Sequence, residues 1–187
     1  MKENYWTIEL EHINPKSRDI ANEFLYYLIK HKKSKNTVDK YRRVLGKFLT
    51  EYSIPLNLLT SNDVGNWFDC NYGNKKDNTK IFILSTLASF FKYCQGEEYI
   101  IVPLIKKRWR PRKPKLLPKY LDEHEVARVK IHAESMSLRD RALEYFLLSS
   151  GCRRSEASGL NIDSVDLKNR TAVVKGKGGK LRDVHFS

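Results

Sequence analysis

Apolar residues recur at helical spacing through the first half of the chain. The first pattern predicts a helix that is capped at Ser17 or Asp19 and runs to about Lys33. Its apolar face carries Ile20, Phe24, Tyr27 and Leu28. The second pattern predicts a helix that follows a break at Ser34–Thr37 and ends near Tyr52. Its apolar face carries Val38, Tyr41, Leu45, Phe48 and Leu49.

Two further helices are predicted before residue 105. Thr60 and Asp63 have the spacing of a capping box and predict a short helix with Val64, Trp67 and Phe68 on its buried face. The composition of residues 71–78 is typical of a loop, and the apolar run that follows predicts a helix over Thr79–Cys94. Four helices with short connections predict a bundle that ends near Ile105.

Three prolines separate the two halves of the sequence. Pro111, Pro114 and Pro118 disfavour a helix and favour extended backbone, so residues 106–117 are predicted to link two domains. Beyond them, Asp122 and Glu125 predict a capped helix with Val126 and Val129 buried. Another helix is predicted over Ser137–Ser149, ended by Gly151, with a buried face of Leu138, Ala142, Leu143, Phe146 and Leu147.

The period changes to two near the end of the sequence. A short helical turn is expected at residues 155–159, followed by strands at Thr171–Val174 and Leu181–Phe186. The glycine-rich, basic stretch Lys175–Lys180 between them predicts the tip of a β-hairpin. The fold class is therefore mainly α with a small β-hairpin. The predicted domains are 1–105 and 118–187, joined by the basic linker 106–117.

The charge balance indicates a polyanionic partner. The 187 residues include 35 Lys and Arg against 22 Asp and Glu, a net charge of +13. Seven of the ten residues in Lys106–Lys115 are basic, and such a run is self-repelling unless phosphates neutralise it. A merely soluble basic surface is the alternative. Candidate contacts to double-stranded DNA are Lys40, Arg42, Arg43, Lys47, Lys106, Lys107, Arg108, Arg110, Arg112, Lys113, Lys115 and Lys180.

Several classes of protein do not fit the composition. No run of about 18 apolar residues is present, which argues against a membrane span, and the first ten residues lack the apolar region of a signal peptide. The three cysteines are far apart and show no Cys-x-x-Cys spacing, so we expect neither a disulfide framework nor a zinc site. A cytoplasmic location and no bound metal are the expectation.

Two short stretches contain candidate functional residues. Arg153 follows a glycine stop and stands three residues before Glu156, which is one helical turn. The pair can be a structural ion pair, or a glutamate that holds a guanidinium for a phosphate. At the hairpin tip, Lys177 stands between two glycines and is a candidate phosphate contact or general acid. By itself each signal is weak.

Taken in order, these stretches resemble the catalytic domain of the tyrosine recombinases, also called the phage integrase family. That family reads T-G-L-R-x-S-E-L and then G-K-G-x-K at a hairpin, where this sequence reads S-G-C-R-R-S-E-A over residues 150–157 and G-K-G-G-K over 176–180. The first half is similar to the family's helical, SAM-like core-binding domain. The matching pieces are Phe24–Leu28, Asn36 and Thr37 with Tyr41–Arg43, Ser89–Tyr93, and Leu117–Leu121 with Glu125.

The resemblance implies a metal-free transesterification of DNA that needs no cofactor. It implies that Arg153 stabilises the charge on the transition state and that Glu156 is the acidic residue that supports the site. It also implies that Lys177 protonates the departing 5′ oxygen. Cys152 and Ala157 depart from the family's leucines, and His185 stands where proline is common. The family's His-x-x-Arg motif and nucleophilic tyrosine are matched by no residue. The catalytic domain is therefore expected to be incomplete, only the beginning of an α+β domain.

Three functions follow from these features as alternatives. The first is the amino-terminal part of a recombinase or integrase, as a fragment or a truncated gene product without activity of its own. The second is a DNA-binding remnant or regulator of intact recombinases that does not cut DNA. The third is an unrelated basic helical protein that binds RNA or an acidic protein. The expected partners are double-stranded DNA and other recombinase protomers, with no membrane and no metal.

Overall fold

The structure is a computed structural model that describes residues 5–112, 117 and 119–187, except for the side chain of Lys177. Its contacts divide the chain into two compact units, Met1–Leu116 and Leu117–Ser187. Four α-helices build the described part of the first unit. They are α1 (Pro15–Lys30), α2 (Lys35–Glu51), α3 (Ser61–Tyr72) and α4 (Asp77–Gly96).

The ends of α1 differ from the prediction. The helix is capped by Asn14, whose side chain accepts a hydrogen bond of 3.1 Å from the backbone N–H of Ser17. Proline fits the first helical position because it has no N–H to leave unpaired, so the helix begins at Pro15. The helix ends at Lys30 rather than Lys33, since Lys32 has a φ of 55°.

The predicted cap of α3 and the predicted apolar faces of α2, α3 and α4 are present, and α2 begins inside the predicted break. Thr60 and Asp63 form the expected capping box at α3, and Ser34 caps α2. The predicted loop is shorter than expected, because α3 continues to Tyr72 and α4 begins at Asp77. A continuous apolar core fills the bundle. Its largest wholly enclosed side chains include Phe24, Phe48, Trp67, Phe90 and Phe91.

The segment before α1 belongs to the same core. Ile8 and Ile13 are buried, and the Ile8 backbone exchanges two hydrogen bonds with the side chain of Asn22 on α1. Since an amide side chain satisfies both backbone groups of Ile8, this arm (residues 5–10) is held against the bundle without a strand partner. The sequence pattern gave no sign of this arm.

The first residues of the predicted basic linker (106–117) belong to the first unit. Lys107–Trp109 forms a 3₁₀ turn, and the Trp109 ring packs over Gly65, where a Cβ would lie 3.1 Å from the ring. The predicted linker is therefore not extended over its first residues, because burial of an indole outweighs the repulsion among its basic neighbours. The boundaries of the predicted domains stay a prediction.

The second unit combines three helices with a small sheet. The helices are α5 (Glu123–Glu134), α6 (Leu138–Ser150) and the single turn α7 (Arg154–Ala157). The antiparallel sheet has three strands in sequential order, β1 (Val165–Asp166), β2 (Thr171–Lys175) and β3 (Leu181–His185). The sequence predicted the β2–β3 hairpin but not β1, which pairs only two residues and is too short to show a period.

The core of the second unit is small. Ala172, Val174 and Val184 are buried, and Phe146 and Phe186 pack beside them. The centres of these two rings lie 5.3 Å apart. The predicted buried faces of α5 and α6 are largely open. Val126 and Val129 are half-buried, while Leu138, Ala142 and Leu143 are exposed and Phe146 and Leu147 are half-buried. Within residues 119–187, one small sheet covers too little surface to enclose both helices.

Candidate functional site

The junction between α6 and α7 presents Arg153. Gly151 ends α6 in the left-handed conformation with a φ of 62°, and Arg153 is extended before α7 begins at Arg154. This reversal leaves the Arg153 side chain 69% exposed. The Arg153 guanidinium can therefore bind an anion from solution, while the Arg153 backbone lies at the start of α7.

Glu156 is the buried centre of the site. Its side chain is 2% exposed and accepts three hydrogen bonds, two of them from Arg153. The Arg153 guanidinium donates to Oε1 at 2.7 Å, and the Arg153 backbone N–H donates to Oε2 at 3.0 Å. The third bond comes from Nη2 of Arg182, which donates to Oε2 at 2.9 Å. The predicted pair of Arg153 and Glu156 is present, and Arg182 is an addition.

These donors explain the ionisation of Glu156. The backbone N–H of Arg153 and then the Arg153 and Arg182 guanidiniums lower the pKa of Glu156 from 4.5 to about 2. Burial acts in the opposite direction but is outweighed. The carboxylate therefore stays charged at neutral pH and can hold two cations in fixed directions.

The sheet brings the hairpin to the same carboxylate. In the β2–β3 register Arg182 lies opposite Val174, on the strand that follows the tip. A Cβ at Gly176 would lie 3.3 Å from Glu156 Oε1, so glycine allows the end of the hairpin to pack directly on the carboxylate. At the tip itself, Gly178 and Gly179 have φ values of 80° and 78°, which L side chains rarely adopt.

Lys177 lies at this tip, in the 3₁₀ turn Lys177–Gly179. Its side chain lies outside the described residues. The backbone immediately before it, at Gly176, borders the pair of Glu156 and Arg153. That Lys177 and Arg153 converge on one phosphate therefore stays a prediction. Lys180, the other candidate of the tip, is exposed.

Sequence reasoning placed Arg182 near Lys177 but did not predict its contact with Glu156. Residues two apart on a strand share a face, so Arg182 lies on the same face of β3 as the buried Val184. A basic residue two positions from an apolar strand residue is a signal that could have indicated an inward-facing guanidinium. The carboxylate that it meets is 26 residues away in sequence, and spacing alone does not show such a contact.

The basic face of α2 is mostly paired within the helix. Asp39 accepts from Arg42 at 2.9 Å and from Arg43 at 2.8 Å, and Lys47 lies 3.9 Å from Glu51. The sequence predicted Arg42, Arg43 and Lys47 as phosphate contacts. In the structure, the carboxylates of Asp39 and Glu51 compete with phosphates for these side chains. The remaining member of the predicted set on this helix, Lys40, is exposed.

A groove runs along this face. It lies between the arm (residues 5–10) and α2 and has a volume of about 790 Å³. Gly46 lines it in the middle of the helix, where a Cβ would meet no atom within 4 Å. Both acidic and basic side chains line it. The lining charges are Glu9, Asp39, Arg42, Arg43, Lys47 and Glu51.

Replacing Asp39 with asparagine is expected to strengthen duplex DNA binding by about threefold, because it frees two guanidiniums and removes one negative charge. Arg42 first and then Arg43 hold the pKa of Asp39 below its ordinary value, so the carboxylate competes for both at neutral pH. Fluorescence anisotropy with a labelled duplex measures the change. The matched control is Asp69→Asn, on exposed surface of α3, which should change affinity less. Weaker binding by Asp39→Asn would show that the ion pairs themselves orient the arginines.

The described part of the basic linker presents several exposed basic side chains. The Lys106 ammonium lies 5.9 Å from the centre of the Trp109 ring, which ties this lysine to the first unit. Lys107, Arg108, Arg110 and Arg112 are exposed. The candidates Lys113 and Lys115 lie outside the described residues.

The chain matches known proteins over most of its length. Residues 21–98 match the model of the phage integrase N-terminal SAM-like domain, and residues 119–187 match the model of the phage integrase family. The chain belongs to the phage integrase family. This confirms the resemblance inferred from residues 150–157 and 176–180.

Two relatives in this family are tyrosine recombinases. XerC of Alcanivorax borkumensis is 34% identical over 172 residues, which are 88% of this chain and 56% of that protein. XerA of Pyrococcus horikoshii is 32% identical over 170 residues, which are 90% of this chain and 56% of that protein. The chain thus spans little more than half the length of these relatives.

Solved structures share the fold. A lambda integrase tetramer bound to a Holliday junction aligns with a TM-score of 0.72 and 16% identity, over 89% of this chain and 49% of that chain. The XerH recombinase bound to its difH substrate aligns with a TM-score of 0.61 and 18% identity, over 95% of this chain and 66% of that chain. The predicted class, a helical SAM-like domain followed by the start of an integrase catalytic domain, is confirmed.

The described parts of this phage integrase chain show neither a metal-binding cluster nor a membrane-spanning helix. Within residues 5–112 and 119–187, no group of three or more His, Cys, Asp or Glu side chains is arranged to hold a metal ion. No helix in these same ranges has the length and apolar character needed to cross a bilayer.

Proposed function

We propose that this chain is the DNA-binding, amino-terminal portion of a site-specific tyrosine recombinase. The complete reaction is the cleavage and rejoining of DNA strands through a 3′-phosphotyrosine. No residue of the sequence matches the nucleophilic tyrosine or the His-x-x-Arg motif of the family. The chain by itself is therefore proposed to bind duplex DNA without cutting it.

One observation carries the proposal. A buried carboxylate, Glu156, holds the exposed Arg153 guanidinium at 2.7 Å, in a position that an anion can reach from solution. A surface ion pair would leave both partners exposed and mobile, whereas this carboxylate is enclosed and triply bonded. Such an arrangement fixes a cation before its ligand arrives, which is what stabilisation of a phosphoryl transition state requires.

Each candidate residue has a role in that reaction. Arg153 binds a non-bridging oxygen of the scissile phosphate and stabilises the charge that develops there. Glu156 holds Arg153 in place without touching the DNA. Lys177 donates a proton to the departing 5′ oxygen while a tyrosine oxygen forms the new bond to phosphorus. The bond energy is retained in the phosphotyrosine, so these roles need neither a metal nor a nucleotide cofactor.

The proposed partners are double-stranded DNA and further recombinase protomers, in the cytoplasm. The lambda integrase structure is a tetramer bound to a Holliday junction, and XerH is bound to a DNA substrate. In this chain, phosphate contacts come first from those exposed basic residues of the predicted set for which the structure shows no salt bridge within the described residues. They are Lys40, Lys107, Arg108, Arg110, Arg112 and Lys180.

Duplex binding with strong salt dependence is the expected result. Each phosphate that a basic side chain neutralises releases counterions, so log affinity should fall against log salt with a slope steeper than about −3. Anisotropy titrations with a labelled duplex between low and moderate salt measure this slope. A structured RNA hairpin of equal charge is the control and should bind more weakly. Tighter binding to the RNA, or a flat salt dependence, would contradict the proposal.

A further inference from the structure

Arg182 connects two parts of the candidate site that are distant in sequence. It lies on β3, next to the hairpin tip, and its Nη2 donates to Glu156 Oε2 at 2.9 Å. Of the hydrogen bonds described for this carboxylate, the other two come from Arg153, three residues away. Arg182 thus supplies a side-chain hydrogen bond that joins the sheet to α7.

This contact restricts how the carboxylate can turn. Arg182 and the Arg153 backbone N–H both bind Oε2, and the Arg153 guanidinium binds Oε1. A carboxylate is planar and rigid, so fixing Oε2 also fixes the direction in which Oε1 points. Without Arg182, only local bonds from Arg153 would hold the Glu156 side chain, and these move together with the helix start.

The same bond sets the position of the hairpin tip. Arg182 and Gly176 approach Glu156 from the two strands on either side of the tip, by a hydrogen bond and by van der Waals contact. The strands are paired from Thr171 with His185 to Lys175 with Leu181, so the hairpin moves as one body. Arg182 therefore couples the backbone that carries Lys177 to the carboxylate that holds Arg153.

We propose that Arg182 is a positioning residue for phosphate binding: through the Glu156 carboxylate it orients the Arg153 guanidinium toward a DNA phosphate. This inference rests on the proposed function, since it requires Arg153 to meet a phosphate. The alternative is that Arg182, whose side chain is 45% exposed, binds a phosphate itself. The bond to a carboxylate that is 2% exposed favours the positioning role, because taking one of its two cationic partners away from a buried charge is costly.

A double-mutant cycle distinguishes these roles. The variants are Arg153→Gln, Arg182→Gln, their combination and Arg182→Lys, and each is titrated with the same labelled duplex. If Arg182 acts through Arg153, each single glutamine variant loses about fivefold in affinity and the combination loses no more than Arg153→Gln alone. The Arg182→Lys variant should recover most of the loss, because an ammonium can still donate to Glu156.

Lys168→Gln is the matched control for loss of a charge. Lys168 is exposed in the turn between β1 and β2, at the opposite end of β2 from the tip. Its substitution should change affinity by less than about twofold. Thermal unfolding of each variant confirms that the protein titrated is folded. If Arg182→Gln does not fold, the cycle is run with Arg182→Met, which removes every donor to Glu156 but keeps a long, unbranched side chain.

Three outcomes would overturn the inference. Additive losses in the combined variant would show that Arg182 contacts DNA independently. A lower unfolding temperature with unchanged affinity would show a role in stability alone. If the unaltered chain binds the duplex and Arg153→Gln has no effect, the phosphate role of Arg153 is wrong and the inference is lost with it. The first two results leave the proposed function intact, whereas the third removes its active-site assignment.

Discussion

Replacing Phe48 with alanine is expected to lower the free energy of unfolding of the first unit by about 3–5 kcal/mol. Phe48 is wholly enclosed, and its ring meets those of Trp67 at 5.0 Å and Phe91 at 5.9 Å in edge-on contacts. Alanine leaves a cavity among rings that cannot close it, because Trp67 and Phe91 are themselves buried and each contacts a further ring. Lost ring contacts add to the lost burial.

Tryptophan fluorescence in a urea titration measures this loss for the first unit alone. The three tryptophans of the chain, Trp6, Trp67 and Trp109, all lie within Met1–Leu116. The control is Phe82→Ala, since Phe82 on α4 is 36% exposed and should cost less than about 1.5 kcal/mol. Equal losses from the two variants would show that the core is not as closely packed as this structure has it.

The helical part of the fold could be predicted because its signal is long. The helices α1, α2 and α4 each show an apolar face over more than two turns, and the capping box at Thr60 fixes one boundary of the shorter α3 within a residue. The start of α1 was wrong because Asn14, Ser17 and Asp19 are all competent caps by composition. Proline at position 15 was the available signal that favours Asn14.

Contacts close in sequence were predictable in the same way, although one of them was overlooked. The pair of Arg153 and Glu156 follows from their spacing of three residues. Asp39 precedes Arg42 and Arg43 by three and four residues on the same helix, which is the ordinary spacing of an ion pair. The basic face of α2 could therefore have been recognised as partly neutralised.

Contacts distant in sequence required the structure. The bond from Arg182 to Glu156 depends on the register of β2 with β3 and on where the sheet meets α7. Packing of the arm through Ile8 depends on an amide on α1. The sequence pattern does not identify the partner of either contact, because one residue in each case makes it. The sequence predicted Arg153, Glu156 and Lys177 for the site, and the structure adds a second guanidinium, that of Arg182, on the Glu156 carboxylate.

Replacing Glu156 with glutamine is expected to lower the midpoint temperature of the second unit by roughly 10 °C at neutral pH. Glutamine keeps the shape but loses the charge, and its NH₂ group cannot accept from Arg153 or Arg182. At least one donor bond is lost, and two guanidiniums face each other without a carboxylate between them. Amide resonances of Val174 and Val184 follow unfolding of the hairpin core during heating.

The pH dependence gives this prediction a second measurement. The pKa of Glu156 is about 2 in the folded chain against an ordinary value of 4.5, so the unfolded state binds more protons between these values. The stability that Glu156 contributes is therefore complete above about pH 4.5 and is lost as the pH falls toward 2. The difference between the original chain and Glu156→Gln should shrink over that window.

Glu134→Gln provides the matched control for loss of a carboxylate. Glu134 lies at the end of α5 in the same unit and is exposed. Its substitution should leave the midpoint temperature nearly unchanged, because an exposed carboxylate loses little when it is neutralised. A drop for Glu134→Gln equal to that for Glu156→Gln would attribute the effect to net charge. A large drop confined to Glu156→Gln, which fades as the pH falls toward 2, requires the enclosed carboxylate between Arg153 and Arg182 to hold the second unit together.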